Sequence, residues 1–355
     1  MAEKIVLVIN PGSASTKVAL YKDGAEVSAK TLYHDEGVVK LPTVEQLKPR
    51  MEMVRDFMDD VGVSPSELTA VIGRGGPFKP LEGGTYEVND ALIKDIREGN
   101  VAADHISNLG SLMADEIARE AGIKAYFADP VSVDELIDEA RLSGIPEVPR
   151  KSLLHALNIR AVSKRYCEEK GIDMSSLNAV VIHLGSGISV CAIRGGRIID
   201  VNNANDGGPF SPERAGGLPT TGLIKLAFSG EYDLKGLLKY VTKSAGFKAY
   251  LGTGDLKEIM GRIDGGDSKA ELVLRAFVYQ VVKEAGAMSA VVDGEQEVII
   301  ITGGMAKSER LVDMLRERLN WLAPIKVYAG EGEMEALADA VFRVISGKEE
   351  VKVYQ

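Results

Sequence analysis

The sequence predicts an α/β fold of two domains, and three observations support this class. The chain has 355 residues, which is roughly twice the length of a typical domain. A segment made of an apolar strand, a Gly-Ser turn and a second strand occurs twice, beginning at Val6 and at Ala179. The residues between and after these copies carry apolar side chains at helical spacing. Strands that alternate with helices in this way are typical of α/β proteins.

The two copies of the strand–turn–strand segment are Val6–Leu20 and Ala179–Ile193. Asn10 aligns with His183, so the offset is 173 residues (183 minus 10). Several residues of the first copy recur as the same residue at this offset: Val8, Ile9, Gly12, Ser13 and Ala19. The repeat predicts two domains built on one hairpin plan. The alternative is a chance similarity between two β-hairpins.

Apolar periodicity and capping residues predict the helices. Asn89 is suited to cap the first of the long ones, and Gly122 is suited to end the next. The predicted helices are Asp90–Glu98, His105–Ala121, Val133–Leu142, Lys151–Lys170, Leu272–Val292 and Glu309–Leu322, with a buried strand at Glu297–Thr302. A last apolar stripe runs from Met334 to Ile345 and could pack on either domain.

Two prolines mark the predicted linker between the domains. Pro146 and Pro149 lie within Ile145–Pro149, and two prolines so close together cannot sit inside a helix. The first domain is therefore predicted to comprise residues 1–148, with the final helix and tail at 334–355 returning to it. The second domain is predicted to comprise residues 149–333.

The composition excludes several classes of protein. A formal net charge of −10 argues against bulk nucleic-acid binding, which needs a basic surface. No apolar run approaches the roughly 20 residues that a membrane helix requires, and the first residues leave no room for a signal peptide. Two cysteines without a CxxC motif argue against a disulfide framework or a zinc site. We expect a cytoplasmic globular protein.

Glycine is the one residue in excess. There are 38 glycines, where average usage would give about 25, and many cluster after apolar runs. The sequence contains neither GxxxxGK[ST] nor GxGxxG, so the two common nucleotide motifs are absent. A tight hairpin can instead cradle a phosphate with its backbone N–H groups. Ser13, Ser15 and Lys17 would add donors and a cation to the first hairpin, although a plain exposed hairpin is the alternative.

At this point the motifs resemble those of the acetate and butyrate kinases. Val8–Lys17 and His183–Gly187 are similar to the first two signatures of that family, and Asn203–Pro219 is closest to the butyrate kinase form of the next segment. The resemblance spans the chain. It implies two ribonuclease-H-like domains with ATP in the cleft between them, Mg²⁺ on the phosphates, and a homodimer or higher homo-oligomer.

The chemistry of such a kinase requires fixed positive charge. A carboxylate acceptor, with a pKa of about 4 to 5, is already ionised at neutral pH and needs no general base. Its repulsion from a phosphate charge about 4 Å away is roughly 4 kcal/mol at an effective dielectric constant near 20. Arg74 lies among glycines at 73–76 and is a candidate to offset this repulsion. The alternative is that Arg74 is a surface arginine in a loop. Arg214 stands where the family has its second transition-state arginine.

Histidines are the next candidates. The resemblance implies that His183 contacts the transferring phosphoryl group, although a histidine at a strand end is often a core or turn residue. His155 resembles the family's other active-site histidine, with helix packing as the alternative. His105 and Asn108 resemble a further pair near the acceptor.

Asp129 is the first candidate metal ligand, because it follows a strand and a carboxylate there suits Mg²⁺. Its alternative role is the N-cap of a helix after Pro130. Glu333 resembles the family's second magnesium carboxylate, with Glu331 and Glu335 as alternatives. Asn10 is predicted to orient the water shell of the metal.

The nucleotide is assigned to glycine-rich turns. The strand Ile300–Thr302 runs into Gly303 and Gly304 and then a helix at Ser308–Leu322, which matches the superfamily's adenosine site. A turn that uses glycine for geometry alone is the alternative. Gly185, Ser186, Gly187, Gly207 and Gly208 are predicted to line the phosphates.

These observations predict a short-chain fatty acid kinase. The predicted reaction is direct, in-line and reversible transfer from ATP to butyrate or a branched acid, giving acyl phosphate and ADP. Acetate or propionate kinase is the alternative on the same scaffold. A nucleotide-dependent switch without catalysis is a different class, which Arg74, Arg214 and His183 argue against, because a sensor has no use for transition-state cations.

Overall fold

The computed structural model describes residues 3–355, in which strands alternate with helices. The strands are β1 (Ile5–Pro11), β2 (Ser15–Lys22), β3 (Ala25–Tyr33), β4 (Ala70–Gly73), β5 (Thr85–Glu87), β6 (Lys124–Ala128), β7 (Ala179–Leu184), β8 (Ile188–Arg194), β9 (Arg197–Val201), β10 (Val298–Gly303), β11 (Ile325–Ala329) and β12 (Lys352–Val353). The α-helices are α1 (Glu36–Val39), α2 (Leu47–Asp60), α3 (Asp90–Glu98), α4 (Asn108–Ala121), α5 (Asp138–Arg141), α6 (Ala156–Lys170), α7 (Thr220–Ala227), α8 (Leu234–Lys239), α9 (Gly246–Leu251), α10 (Leu256–Asp264), α11 (Ser268–Val291), α12 (Glu309–Leu319) and α13 (Glu333–Ile345).

The chain forms two compact units. The first unit runs up to Val133 and takes up the chain again at Gly332–Gln355, and the second unit is Asp134–Glu331. Helix α13 therefore belongs to the first unit. The boundaries at residues 148 and 333 that the sequence suggested stay a prediction for the functional domains.

The first unit contains a seven-stranded sheet in the order β12-β5-β6-β4-β1-β2-β3. Strand β1 is antiparallel to β2 and parallel to β4, which is in turn parallel to β6. All seven residues of β1 are buried, because both faces of the sheet are covered. Leu7 and Ile9 join an apolar cluster with side chains of α2 and α4, while α13 lies against β1 and β4.

The second unit repeats this plan. Its five-stranded sheet has the order β11-β10-β7-β8-β9, with β7 antiparallel to β8 and parallel to β10. Five neighbouring strands of the first sheet, β6-β4-β1-β2-β3, have the same order and directions. The predicted α/β class and the duplicated hairpin are therefore confirmed. Helices α11 and α12 supply much of the apolar cluster that covers this sheet.

The two hairpins differ by one residue in the turn. In the first, Pro11 lies opposite Thr16, so Gly12–Ser15 forms the turn. In the second, Leu184 lies opposite Ile188, so Gly185–Gly187 forms the turn. We call these the first turn and the second turn.

This difference corrects the alignment of the return strands. Lys17 lies opposite Asn10 and Ser189 lies opposite His183, so the offset beyond the turn is 172 residues (189 minus 17). Lys17 therefore corresponds to Ser189. For the same reason Ala19, opposite Val8, corresponds to Cys191, and the recurrence of alanine at residue 192 was a coincidence of sequence.

The helix predictions were confirmed best where local capping is strong. Helix α3 has the predicted bounds, and the Asn89 side chain accepts the Leu92 N–H. Helices α4 and α6 begin later than predicted, at Asn108 and Ala156, and α12 ends earlier, at Leu319. Among residues 3–355, no helix has both the length and the apolar character needed to cross a membrane.

The predicted helix Val133–Leu142 was wrong for most of its length. Only Asp138–Arg141 is helical. The buried carboxylate of Glu135 accepts the backbone N–H of Ile198 at 2.8 Å, and Asp134 binds Arg141 at 2.7 Å. These contacts are made by residues that precede the short helix, so tertiary partners outweigh the helical periodicity there.

Candidate active site

Three of the predicted site residues lie at the ends of neighbouring strands of the first unit. Asn10 lies at the end of β1, Arg74 directly follows β4, and Asp129 directly follows β6. These strands are adjacent and parallel. Because the carboxyl ends of parallel strands meet at one edge of a sheet, with about 4.8 Å between neighbours, the three residues share that edge.

Glu333 joins this edge at the first residue of α13. Its Oε1 contacts the Arg74 guanidinium, and its Oε2 accepts a hydrogen bond of 2.9 Å from Asn10 Nδ2. Burial favours a raised pKa for Glu333, but Arg74, Asn10 and the charge of Lys17 outweigh burial and lower this pKa. Glu333 is therefore ionised at neutral pH. The structure thus brings Arg74, Asn10 and Glu333 into one cluster.

The arginine loop requires its glycines. A Cβ atom on Gly73 would lie 1.9 Å from the Gly110 carbonyl oxygen, and one on Gly76 would lie 1.9 Å from Asn108 Oδ1. The start of α4 therefore packs directly on the loop that carries Arg74. Asn108 is part of this contact, whereas His105 binds Ser107 Oγ at 2.8 Å in the turn before the helix.

Asp129 has a different environment from the one expected of a helix cap. Its φ angle is 40°, and its Oδ1 accepts the Gly84 backbone N–H at 2.7 Å. The segment after Pro130 is not helical. The alternative role as an N-cap was therefore wrong, because the carboxylate is used across the sheet to fix the neighbouring strand.

The donors at this edge fit a magnesium ion held mainly through phosphate oxygens and water. Asp129 and Glu333 are carboxylates and Asn10 is an amide, and Mg²⁺ takes one or two carboxylates in such sites. The lowered pKa of Glu333 suits a cation ligand. Within residues 3–355, no group of three or more His, Cys, Asp or Glu side chains is arranged to hold a metal by itself.

The first turn is tight and open to solvent. The Gly12 N–H donates to the Ser15 carbonyl at 2.7 Å, and Ser13 and Ala14 are exposed. Lys17 is also exposed and lies opposite Asn10 across the hairpin. On the inner side of the turn lies Arg50, a buried residue that the sequence analysis missed. Its position within an ordinary amphipathic helix gave no signal of this contact.

In the second unit, two predicted histidines stack on each other. The rings of His155 and His183 have centroids 3.9 Å apart and planes 11° apart. His155 Nδ1 lies 3.0 Å from Ser189 Oγ. His155 stands at the N-cap position of α6, so both the stacking and the helix start place it beside His183.

Asn158 orients His183, and the sequence analysis did not identify it as a site residue. Its Nδ2 donates to the Glu331 carbonyl at 2.7 Å, so its Oδ1 is the acceptor that faces His183 Nδ1, also at 2.7 Å. His183 therefore carries its proton on Nδ1. A buried asparagine at the start of a helix has many structural explanations, and only the tertiary contact reveals this role.

Arg214 lies over the second turn. A Cβ atom on Gly187 would lie 2.6 Å from the Arg214 guanidinium, and one on Gly185 would lie 3.0 Å from His183 Nε2. The structure therefore brings these two glycines, Arg214 and His183 together. Arg214 donates to the Ala204 carbonyl at 3.1 Å, and burial lowers its pKa. Among the described residues, no carboxylate forms an ion pair with it.

Ser211 ties Arg214 to the second turn. Its Oγ donates to the Ser186 carbonyl at 2.6 Å and accepts the Arg214 backbone N–H at 3.0 Å. Ser211 follows Gly207 and Gly208 in the same loop. Gly208 has a φ of 67° and lies against the Asn202 amide, so a side chain would not fit there. Asn202 in turn donates to Gly207 and Ile188.

The end of β10 reaches the same turn. Gly303 has a φ of 93°, and a Cβ atom there would lie 2.3 Å from the Leu184 carbonyl oxygen. Gly304 begins a 3-10 turn that leads to α12, whose N-cap is Ser308. Gly303 is therefore required for the close approach of two buried strands directly beside Gly185.

Comparison with known proteins gives consistent results. A model of the Acetokinase family matches residues 148–341. The "Probable butyrate kinase 2" of Caldanaerobacter subterraneus subsp. tengcongensis is 47% identical over 351 residues, covering 98% of this chain and 99% of that protein. "Butyrate kinase 2" of Clostridium acetobutylicum is 45% identical, covering 99% of each. The acetate kinase structure from Porphyromonas gingivalis has a TM-score of 0.78 at 19% identity, covering 96% of this chain and 99% of that one. The chain belongs to the Acetokinase family.

Proposed function

We propose that this protein transfers the terminal phosphoryl group of ATP to the carboxylate of a short-chain fatty acid, with butyrate as the preferred acceptor. The observation that carries the proposal is the pairing of glycine-rich backbone with a cation in each unit. Arg74 lies among Gly73, Gly75 and Gly76, and Arg214 lies over Gly187. Such sites suit two anionic substrates that must approach each other.

The proposed step is a direct displacement. A carboxylate oxygen of the acid attacks the terminal phosphorus of ATP while the bond from that phosphorus to ADP breaks, which yields acyl phosphate and ADP. The acceptor has no proton to lose, so no side chain is required as a general base. The work of the protein is to position the substrates and to stabilise charge.

The first unit is proposed to supply the acceptor site and part of the phosphate site. Arg74 receives the acceptor carboxylate or the transferring phosphoryl group, with Asn108 packed behind its loop and His105 in the turn before α4. Ser13, Ser15 and Lys17 bind phosphate oxygens from the first turn.

The second unit is proposed to bind the rest of the nucleotide. Gly185, Ser186 and Gly187 offer backbone to the phosphates, and Gly207 and Gly208 line them from the loop that leads to Arg214. His183, held by Asn158 and stacked on His155, and Arg214 contact the transferring group. Gly303 and Gly304 lie where β10 meets α12 and are proposed to receive the adenosine.

Magnesium is proposed to be held by Asp129 and Glu333, with Asn10 orienting its water. When bound, the ion neutralises phosphate charge and aligns the phosphate oxygens. Glu333 is preferred over Glu331 and Glu335 because, among the described residues, it alone of the three contacts both Asn10 and Arg74.

The relatives favour butyrate over smaller acids. Proteins named butyrate kinase are 43–47% identical to this chain, whereas the solved acetate and propionate kinases are 16–19% identical. One methylene changes binding in an apolar pocket by only about 1 to 3 kcal/mol. Lower activity on propionate, valerate and branched acids is therefore expected, and acetate or propionate kinase is the second candidate.

The test is a hydroxamate trap for acyl phosphate, run with ATP and unbranched acids of two to five carbons plus isobutyrate. Butyrate should have the highest kcat/KM, with lower values for the other acids. A maximum at acetate or propionate would support the second candidate. ATP binding without any acyl phosphate would leave the non-catalytic switch as the function. We also propose that the protein forms a homo-oligomer, which size-exclusion chromatography with light scattering tests.

A further inference from the structure

The feature that the proposed reaction does not use is a buried positive charge on the inner side of the first turn. Arg50, on α2, has no exposed surface. Its three guanidinium nitrogens donate only to neutral oxygens, and no carboxylate pairs with it among residues 3–355. A buried charge without a counter-ion is costly, so its environment must hold it by hydrogen bonds.

Three of those six hydrogen bonds end on the first turn. Nη1 donates to the Gly12 carbonyl at 3.0 Å and to the Ser15 carbonyl at 3.4 Å, and Nη2 donates to the Ser13 carbonyl at 3.1 Å. The planar guanidinium thus donates to the carbonyl oxygens of three of the four residues of the turn. Gln46, one helical turn earlier, accepts from Nε and Nη2 and fixes the plane of the group.

This arrangement decides where the amide protons point. In a trans peptide the C=O and the following N–H are directed to opposite sides of the chain. Because the Gly12 and Ser13 carbonyls face Arg50, the N–H groups of Ser13 and Ala14 face away from it, on the exposed side of the turn. Neither N–H donates a hydrogen bond within residues 3–355.

The polar groups in contact with Arg50 are neutral at pH 7. Thr16 Oγ1 accepts from Arg50 Nη1 at 3.0 Å and lies 2.8 Å from His34 Nε2. Burial and the charge of Arg50 lower the pKa of His34 to about 4, so that ring is neutral at pH 7. Burial also lowers the pKa of Arg50, to about 10, which leaves it protonated.

We propose that Arg50 is a positioning residue for phosphate binding: it holds the first turn so that the Ser13 and Ala14 N–H groups form an anion site, and its uncompensated charge favours a phosphate there. The proposal rests on the proposed function for the identity of the phosphate as that of ATP. It does not make Arg50 a catalytic residue, because the side chain has no access to substrate.

The first test uses the wild-type protein and needs no catalysis. Inorganic tripolyphosphate, without any acceptor, is titrated into ¹⁵N-labelled protein while the amide resonances are followed. Shifts that saturate at Ser13 and Ala14 are expected. Unchanged Ser13 and Ala14 resonances at saturating tripolyphosphate overturn the proposal, and this outcome does not depend on whether acyl phosphate is ever made.

The second test compares Arg50→Lys with two controls on the same helix. Lysine keeps the charge but cannot hold three carbonyls in one plane. We expect the KM for ATP to rise at least tenfold while the KM for the carboxylate changes less than twofold. Arg50→Met, which also removes the charge, should weaken tripolyphosphate binding further.

The controls separate positioning from stability. Arg55→Lys alters an exposed arginine of α2 that pairs with Glu116 and Glu120, and it should leave both KM values unchanged. Phe57→Leu removes buried volume from the same helix and lowers Tm without touching the first turn. A folded Arg50→Lys protein with the wild-type KM for ATP, or a Phe57→Leu protein with the same selective rise in that KM, overturns the proposal.

Discussion

The first and second turns begin with the same Gly-Ser pair but are supported from different sides. The first turn is held by Arg50, whose guanidinium donates hydrogen bonds to the carbonyl oxygens of the turn from its inner side. The second turn has no such residue at its carbonyls among those described. It is instead tied by Ser211 and lies beneath Arg214. The same backbone plan thus has a buried cation on the inner side of the turn in one copy and a cation over the turn in the other.

The comparison also separates scaffold from chemistry. Within the strands, the residues shared by both hairpins, such as Val8 and Val181, are apolar and build the sheets. The polar residues at corresponding positions differ: Asn10 corresponds to His183, and Lys17 corresponds to Ser189. Corresponding backbone positions therefore carry an amide and a cation in one unit and an imidazole and a hydroxyl group in the other.

The largest effect is expected from the cation over the second turn. Arg214→Met removes the positive charge that is proposed to contact the transferring phosphoryl group. Loss of such an arginine lowers kcat by about 10³-fold or more. The hydroxamate assay measures this. Arg194→Met is the matched control, because Arg194 pairs with Asp293 at the surface of the same unit and should retain activity. Turnover within tenfold of wild type in Arg214→Met would show that the second turn does not carry the transition-state charge.

Arg74 tests the corresponding charge in the first unit. We expect Arg74→Ala to lower kcat by about 10² to 10³-fold, as for the loss of one electrostatic donor in an active site, while ATP binding measured by calorimetry persists. Arg55→Ala, an exposed arginine in the same unit, is the control. Near-wild-type turnover in Arg74→Ala removes Arg74 from the site.

Lys17 gives a smaller effect, because it is exposed and its charge is screened. Lys17→Met should raise the KM for ATP about fivefold with a smaller change in kcat, since a single surface cation contributes up to about 1 kcal/mol. Lys22→Met, at the far end of β2, is the control. Equal KM values for Lys17→Met and wild type would mean that the first turn binds phosphate through backbone and hydroxyl groups alone.

The smallest effect concerns acid stability. The folded-state pKa of Glu333 is lower than its ordinary value of 4.5, so its ion pair with Arg74 stabilises the fold above that value and is lost as the pH falls through the folded pKa. Glu333→Gln should therefore lower Tm at pH 7, and the difference should disappear as the pH falls through the folded-state pKa of Glu333. Calorimetric Tm values measured across that range check it, and a constant difference would contradict the role of this carboxylate.

The candidate site was predictable from sequence where glycine or a recurrent motif marks it. Gly187, Gly208 and Gly303 stand where side chains have no room, and the two arginines lie in such settings. Asn158 and Arg50 were not predictable, because each sits in a helix with ordinary periodicity. Their partners lie many residues away: Asn158 reaches Glu331, and Arg50 reaches Ser13.

The sequence by itself determined the α/β class, the duplicated hairpin and the family, because strand burial, glycine turns and local caps are encoded within short segments. Tertiary structure alone decided the strand register beyond each turn, the non-helical course of residues 134–137, and the hydrogen bonds that orient the turns. These depend on hydrogen bonds between residues distant in sequence, such as Glu135 with Ile198, and a buried polar group takes whichever partner the folded chain presents.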